Sequence, residues 1–160
     1  MILKLKNGNV KIELFNEVAP KHVERVKNLI KEKKYDGVVF HRVIEGFMAQ
    51  TGDVQFGNTN SPNFDLRRAG TGGSEYPDLK AEFSNIPHVR GTLSMARSSS
   101  PNSANSQFFI CFNDAPHLDR QYTVFGKVIE GMEFVDLIKK GEGSNGEVSK
   151  PDQIVSITLE

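Results

Sequence analysis

The chain has 160 residues, with 20 basic and 20 acidic side chains that cancel to a formal charge of zero. That balance excludes an electrostatic footprint for nucleic acid or an anionic membrane as main partner, and the length predicts a single domain over residues 1–160. With one cysteine, Cys111, and no apolar run of membrane-spanning length, a soluble, cytoplasmic monomer needing no metal or disulfide staple is expected.

In "ILKLKNGNVKIELF" two alternating segments flank Asn7-Gly8, which predicts a hairpin closed by a type I′ turn. Leu3, Leu5, Val10, Ile12 and Leu14 would line one face. In "EVAPKHVERVKNLIKEKKY" the period changes: Val23, Val26, Leu29 and Ile30 follow helical spacing. Pro20 suits the first turn of that helix, where its missing N–H costs nothing. From Val38 to Val128 the signal is one of short apolar runs between glycines and polar clusters. Strands are predicted at Val38–Val43, Phe47–Thr51, Thr92–Ala96, Gln107–Phe112 and Val124–Val128.

"GMEFVDLIKKGEG" predicts a second helix, with Lys139 and Lys140 in its last turn and Gly141 as its stop. In "IVSITLE" alternation places Val155, Ile157 and Leu159 on one face of a closing strand. Two helices and about eight short strands point to a closed or two-layered β structure with helices over its openings. Propensity alone leaves barrel and sandwich undecided.

Two polar stretches interrupt this pattern. "VQFGNTNSPNFDLRRAGTGGSEYPDLKAEFS" is a loop of a length that is uncommon in compact domains unless it is functional. "ARSSSPNSANS" has linker composition, but it lies between two predicted strands and reads as a loop held at both ends.

Conventional catalytic signatures are missing. His22, His41, His88 and His117 have no metal-ligand spacing. Cys111, within "QFFICF", reads as a small core residue. No G-x-S-x-G elbow occurs, and "GTGG" (Gly70 to Gly73) lacks the lysine and helix of a phosphate loop. An enzyme built from these residues works without nucleophile, metal or cofactor.

The unusual residue is Arg42 in "VVFHRVIEGFMAQTGD", a cation among Val39, Phe40, Val43, Ile44, Phe47 and Met48. Phe40, Phe47, Met48, Phe108, Phe109, Phe112 and Phe125 are most simply core. Strand alternation, however, sends half of "SQFFICF" to the opposite face, where it can floor an apolar cleft. Arg42 beside Gln50 over such a floor suits a neutral, apolar ligand with a carbonyl to be hydrogen-bonded. The plain alternative for Arg42 is a stem packed on the surface with its head in water.

"FHRVIEGFMAQTGD", "GTGG", "GTLSMA", "NSQFFICF" and "YTVFGKV" occur in the order that marks the cyclophilins, the cyclosporin-binding peptidyl-prolyl isomerases. The chain resembles this family from Lys4 to Leu159. The resemblance implies a closed eight-stranded antiparallel barrel capped by two α-helices. It also implies an enzyme that accelerates rotation about X–Pro bonds during protein folding, with no covalent intermediate and no cofactor. Its implied partners are proline-containing peptides and unfolded or folding proteins.

Carried over by position, Arg42 resembles the catalytic arginine. Phe47, Met48, Phe109 and Leu118 resemble the socket for the proline ring. Gln50 and the backbone of Arg97 resemble the groups that hold the peptide. Ala96, Ser98 and Gln107 resemble further lining positions, and Gly70 borders the groove. Three positions depart from the family. His117 replaces a frequent tryptophan that contacts cyclosporin, which implies reduced affinity for the drug. Tyr122 replaces a frequent histidine at the rim, and Arg97 a frequent asparagine. Other classes give two further readings: a binding module that holds proline-containing segments without turnover, and a hydrolase using Cys111 or a serine.

Overall fold

The computed structural model describes all 160 residues. The hairpin forms from β1 (Ile2–Leu5) and β2 (Gly8–Leu14), and helix α1 (Pro20–Lys31) follows. Then come β3 (Arg42–Ile44), β4 (Met48–Thr51), β5 (Thr92–Met95), β6 (Phe108–Cys111), β7 (Val124–Glu130), α2 (Met132–Asp136) and β8 (Ser156–Thr158). All pairings are antiparallel, in the order β3-β4-β6-β5-β7-β2-β1-β8.

The sheet is an open half-barrel, not the closed barrel that the resemblance implies, because its edge strands β3 and β8 do not pair with each other. The outer edge of β3 is already occupied by the 141–148 loop, with Val43 N–H donating to the Gly146 carbonyl at 2.8 Å and Val148 N–H to that of His41 at 3.1 Å. Across the seam the segments that precede β3 and β8 make only short, irregular pairing: a Val39–Gln153 bridge, with Phe40 N–H donating to the Asp152 carbonyl, Ile154 N–H to that of Val38 and Gly37 N–H to that of Ile154, each at 2.8 Å. Residues 38–41, expected as strand, therefore make isolated bridges and no ladder.

The hairpin buries Leu3, Leu5, Val10 and Ile12 on one face, as alternation requires, with Leu14 packed partly against the same core. Its turn differs from expectation. Leu5 pairs with Gly8, so Lys6 and Asn7 make the turn, and Asn7 keeps a negative φ. Gly8 is needed for a different reason: a Cβ there would lie 2.6 Å from the Phe134 ring of α2.

Helix α1 buries Val23, Val26, Leu29 and Ile30, and starts at Pro20 after Ala19, whose side chain cannot cap it. Glu82 of the long loop caps it instead, accepting from the N–H groups of Lys21 at 3.1 Å and His22 at 2.9 Å. Helix α2 is shorter than predicted. Beyond Asp136 the backbone turns to tertiary partners, with Lys139 N–H to Asp152 Oδ2 and Gly141 N–H to the Val43 carbonyl. Lys139, Lys140 and Gly141 therefore lie outside the helix. The last strand is shorter than expected: Ile157 is buried within it, while Val155, which precedes it, is exposed and Ile154 is buried, so the expected alternating face is broken there.

The main core gathers Phe40, Phe108, Phe112 and Phe125 with the buried faces of both helices. A second, smaller cluster of Met48, Phe109, Cys111, Ala115 and Leu118 lies on the other face of the sheet, with Phe47 and Tyr122 against it. The 54–84 segment contains no helix or strand. It is gathered by Asp53, a residue with no solvent exposure. Oδ1 accepts from the N–H groups of Gln55 and Phe56 at 3.0 and 2.9 Å, and Oδ2 from those of Gly70 and Gly72 at 2.8 and 2.9 Å.

Removing that carboxylate strands four backbone donors, each of which costs about 1–3 kcal/mol when buried without a partner. Asp53→Ala is expected to lower stability by at least ~3 kcal/mol in urea unfolding. Hydrogen exchange should show the loss of protection concentrated in residues 54–73.

Candidate active site

The register of three strands builds the site. Arg42 pairs with Gln50 across β3 and β4, and Gln50 with Phe109 across β4 and β6. The intervening Val43, Ala49, Phe108 and Ile110 fill the core, so the pleat turns Arg42, Met48, Gln50 and Phe109 to the opposite face. There they line a groove of about 850 Å³ together with Phe47, Gly70, Ala96, Arg97, Leu118 and Tyr122. Ser98 and Gln107 lie in an adjoining polar hollow of about 660 Å³ that shares Gln50, Gly70, Ala96 and Arg97 with the first. His117 does not line the groove; it is exposed and packs its ring on Phe47 at 5.5 Å.

Arg42 is held entirely by neutral oxygens. Nε donates to the Asn145 carbonyl at 2.9 Å, Nη2 to Asn145 Oδ1 at 3.1 Å, and Nη1 to Gln50 Oε1 at 3.4 Å. The arginine ion pairs of the chain are Arg67 with Asp65 and Arg90 with Asp136, so Arg42 has no carboxylate partner. The donors then run in one direction: Gln50 Nε2 to Gln107 Oε1 at 3.0 Å, and Gln107 Nε2 to the Gly72 carbonyl at 2.9 Å. This relay ties the arginine to the loop that Asp53 gathers.

Several contributors carry no signal of their own in the sequence. Asn145 is 103 positions from Arg42, and only the fold brings them together. His88, 1% exposed, lies under the ring of Phe109 at 6.2 Å and nearly parallel to it. Its Nδ1 is 3.0 Å from Asp119 Oδ1 and its Nε2 2.8 Å from Ser94 Oγ. His41, next to Arg42, lies beneath Gly70, whose φ of +103° disfavours any side chain and where an added Cβ would stand a tight 3.1 Å from His41 Nε2. Cys111 has no exposure, and burial pushes its thiol up to about 12, so it supplies no thiolate at neutral pH. The reading of Cys111 as a core residue stands.

The open half-barrel of eight antiparallel strands with two helices is the fold of the cyclophilins, a class of peptidyl-prolyl isomerase. Residues 1–159 match the family described as "Cyclophilin type peptidyl-prolyl cis-trans isomerase/CLD", and the chain belongs to that family of enzymes. A "Probable peptidyl-prolyl cis-trans isomerase" of Brucella suis is 62% identical over 161 residues, covering 100% of this chain and 82% of its own length. A Helicobacter pylori peptidyl-prolyl cis-trans isomerase is 42% identical over 144 residues, covering 88% and 80% of the two chains. A Cryptosporidium parvum cyclophilin-type isomerase crystallised in the presence of the dipeptide Ala-Pro superposes with a TM-score of 0.83 at 28% identity, covering 99% of this chain and 97% of that one. No helix of the chain is long and apolar enough to cross a membrane.

Burial lowers the pKa of His41 from 6.5 to about 4; Asp53 opposes the shift and Arg42 adds to it. Burial also lowers His22 and His88, against the pull of Glu82 and Asp119. Between these values the unfolded chain binds more protons than the folded one, so stability falls as pH falls from 6.5 towards 4. The melting temperature is expected to drop by roughly 5 °C or more between about pH 7 and about pH 4.5. Calorimetry on His41→Gln should show a visibly smaller drop.

Proposed function

We propose that this groove binds X–Pro segments of folding proteins and catalyses their rotation in the cytoplasm, with Arg42 as the catalytic residue. In this reading the proline ring sits on Phe47, Met48, Phe109 and Leu118. Gln50 and the backbone of Arg97 hold the chain that precedes it, with Ala96, Ser98, Gln107, Gly70 and Tyr122 around them. The observation that carries the reading is the placement of a neutrally anchored guanidinium in the same cross-strand row as the aromatic floor.

Peptide bonds resist twisting because nitrogen shares its lone pair with the carbonyl, and the barrier is about 18–20 kcal/mol. Uncatalysed X–Pro exchange takes tens to hundreds of seconds. Reaching milliseconds requires about five decades, or roughly 7 kcal/mol. At the half-rotated point nitrogen becomes pyramidal and its lone pair localises. A fixed N–H donor then interacts strongly with a group that was a poor acceptor in the planar ground state, which is differential binding of the transition state. No bond is broken.

One charge-assisted hydrogen bond supplies about 1.5–3 kcal/mol. The remainder comes from gripping the ring on the apolar floor while the preceding chain is held in place. Apolar surroundings add to this, since the twisted amide is less dipolar than the planar one and loses less on leaving water. Zero net charge and a core complete within one chain support a monomer.

Arg42→Ala is expected to lower kcat/KM on a short X–Pro peptide by roughly ten- to a hundred-and-fifty-fold with the melting temperature nearly unchanged. NMR exchange spectroscopy reads the rate, and near-normal exchange in this variant would remove Arg42 from its role. Arg42→Lys should also be poor, because a point charge does not reproduce the planar fork. Cyclosporin is expected to bind about tenfold or more weakly than it does to family members with tryptophan in place of His117, which offers less apolar area and no indole N–H. Titration calorimetry decides this, and tight binding refutes it.

A further inference from the structure

Arg97 borders both hollows of the groove, and its guanidinium is ordered before any ligand arrives. Nε and Nη2 donate to the Gln121 carbonyl at 3.1 and 2.8 Å, and Nη1 donates to the Ser98 carbonyl at 3.0 Å and, more distantly, to that of Ser99 at 3.4 Å. The guanidinium carbon stands 4.4 Å from the centre of the Tyr122 ring, and Tyr122 meets Phe109 edge-on at 6.0 Å. The cation is thus fixed beside the proline socket by carbonyls and an aromatic face.

No acid neutralises it. Asp78, which borders the polar hollow, accepts from Asn105 Nδ2 at 3.0 Å. Glu142 and Glu147, which border the apolar hollow, accept from the N–H groups of Ser149 and Asn145 within their own loop. Arg97 forms no ion pair, and one N–H of Nη2 is left without an acceptor. A client meeting this group finds a full charge whose side-chain ordering has already been met by the free protein.

We propose that Arg97 is a specificity-determining residue that favours X–Pro segments carrying an acidic side chain just before the proline. This rests on the reading of the groove above, in which the chain preceding the proline passes Gln50 and Arg97. A carboxylate at that position faces a pre-ordered cation, while a lysine there faces repulsion. The pair lies at a solvent-exposed rim, so its effect has the size of a surface ion pair, about two- to fivefold relative to a neutral residue.

Three peptides test it: Ala-Glu-Pro-Phe, Ala-Gln-Pro-Phe and Ala-Lys-Pro-Phe, each acetylated and amidated so that no terminal charge interferes. NMR exchange gives kcat/KM, and chemical-shift titration gives Kd independently of turnover. The expected order is Glu above Gln above Lys, with Glu over Lys by about fourfold or more in both quantities. The ratio should fall towards one in about 1 M salt, where charges are screened within a few ångströms. It should fall likewise in Arg97→Gln and partly recover in Arg97→Lys. Each ratio is taken within one variant, so a general weakening of the groove cancels, and the salt series needs no variant at all. Equal values for the three peptides in the unmodified protein overturn the proposal. Absent exchange with the Glu-over-Lys binding order intact would instead sink the isomerase reading of the groove and leave the charge preference standing.

Discussion

The pleat of β6 is the constraint on which the rest depends. Its successive residues cannot share a face, so Phe108 and Ile110 enter the main core while Phe109 and Cys111 stand on the other side. The same alternation runs through β3 and β4, and antiparallel register then lines up Arg42, Gln50 and Phe109 across three strands. The apolar floor is therefore a by-product of filling the core correctly. A one-residue slip of any of these strands would bury the arginine and expose the core.

The second theme is that charge near the groove is kept available by giving it neutral company. Arg42 is held by an asparagine and a glutamine, and Arg97 by carbonyls and an aromatic face. A carboxylate partner would anchor either one more firmly, but it would also satisfy the charge before a peptide arrived. The histidines beneath the groove follow the opposite rule. His41 and His88 are buried and burial disfavours their charged forms; His41 packs beneath Gly70, while His88 packs under Phe109 and bridges Asp119 and Ser94 through its ring nitrogens.

What the sequence made legible is what depends on near neighbours. The hairpin face of Leu3, Leu5, Val10 and Ile12 and the helical stripe of Val23, Val26, Leu29 and Ile30 are local periodicities, and both are found buried. The placement of Arg42, Phe47, Met48, Gln50, Phe109, Leu118 and Tyr122 around one groove followed from motif resemblance, and periodicity alone offered only the two faces of a strand. The features that were misjudged were decided at long range. Helix α2 ends early because Asp152 and Val43 take its backbone donors. Asn7-Gly8 does not form the expected turn, which falls at Lys6-Asn7, and Gly8 instead leaves space for the Phe134 ring. Closure of the barrel fails because the 141–148 loop occupies the edge that β8 would need. Asn145 as the anchor of Arg42 and Asp53 as the anchor of the long loop belong to the same class, since their partners are chosen by topology.

The cap of helix α1 sets an order of events during synthesis. Ala19 offers the helix no side-chain acceptor, and the one that serves, Glu82, lies 60 residues beyond His22. As the chain leaves the ribosome, α1 emerges with its first-turn donors facing only water, and it gains its protein acceptor once the whole segment through β3, β4 and most of the long loop has followed. The cap, worth about 1 kcal/mol, thus reaches the helix only when residues far along the chain are in place.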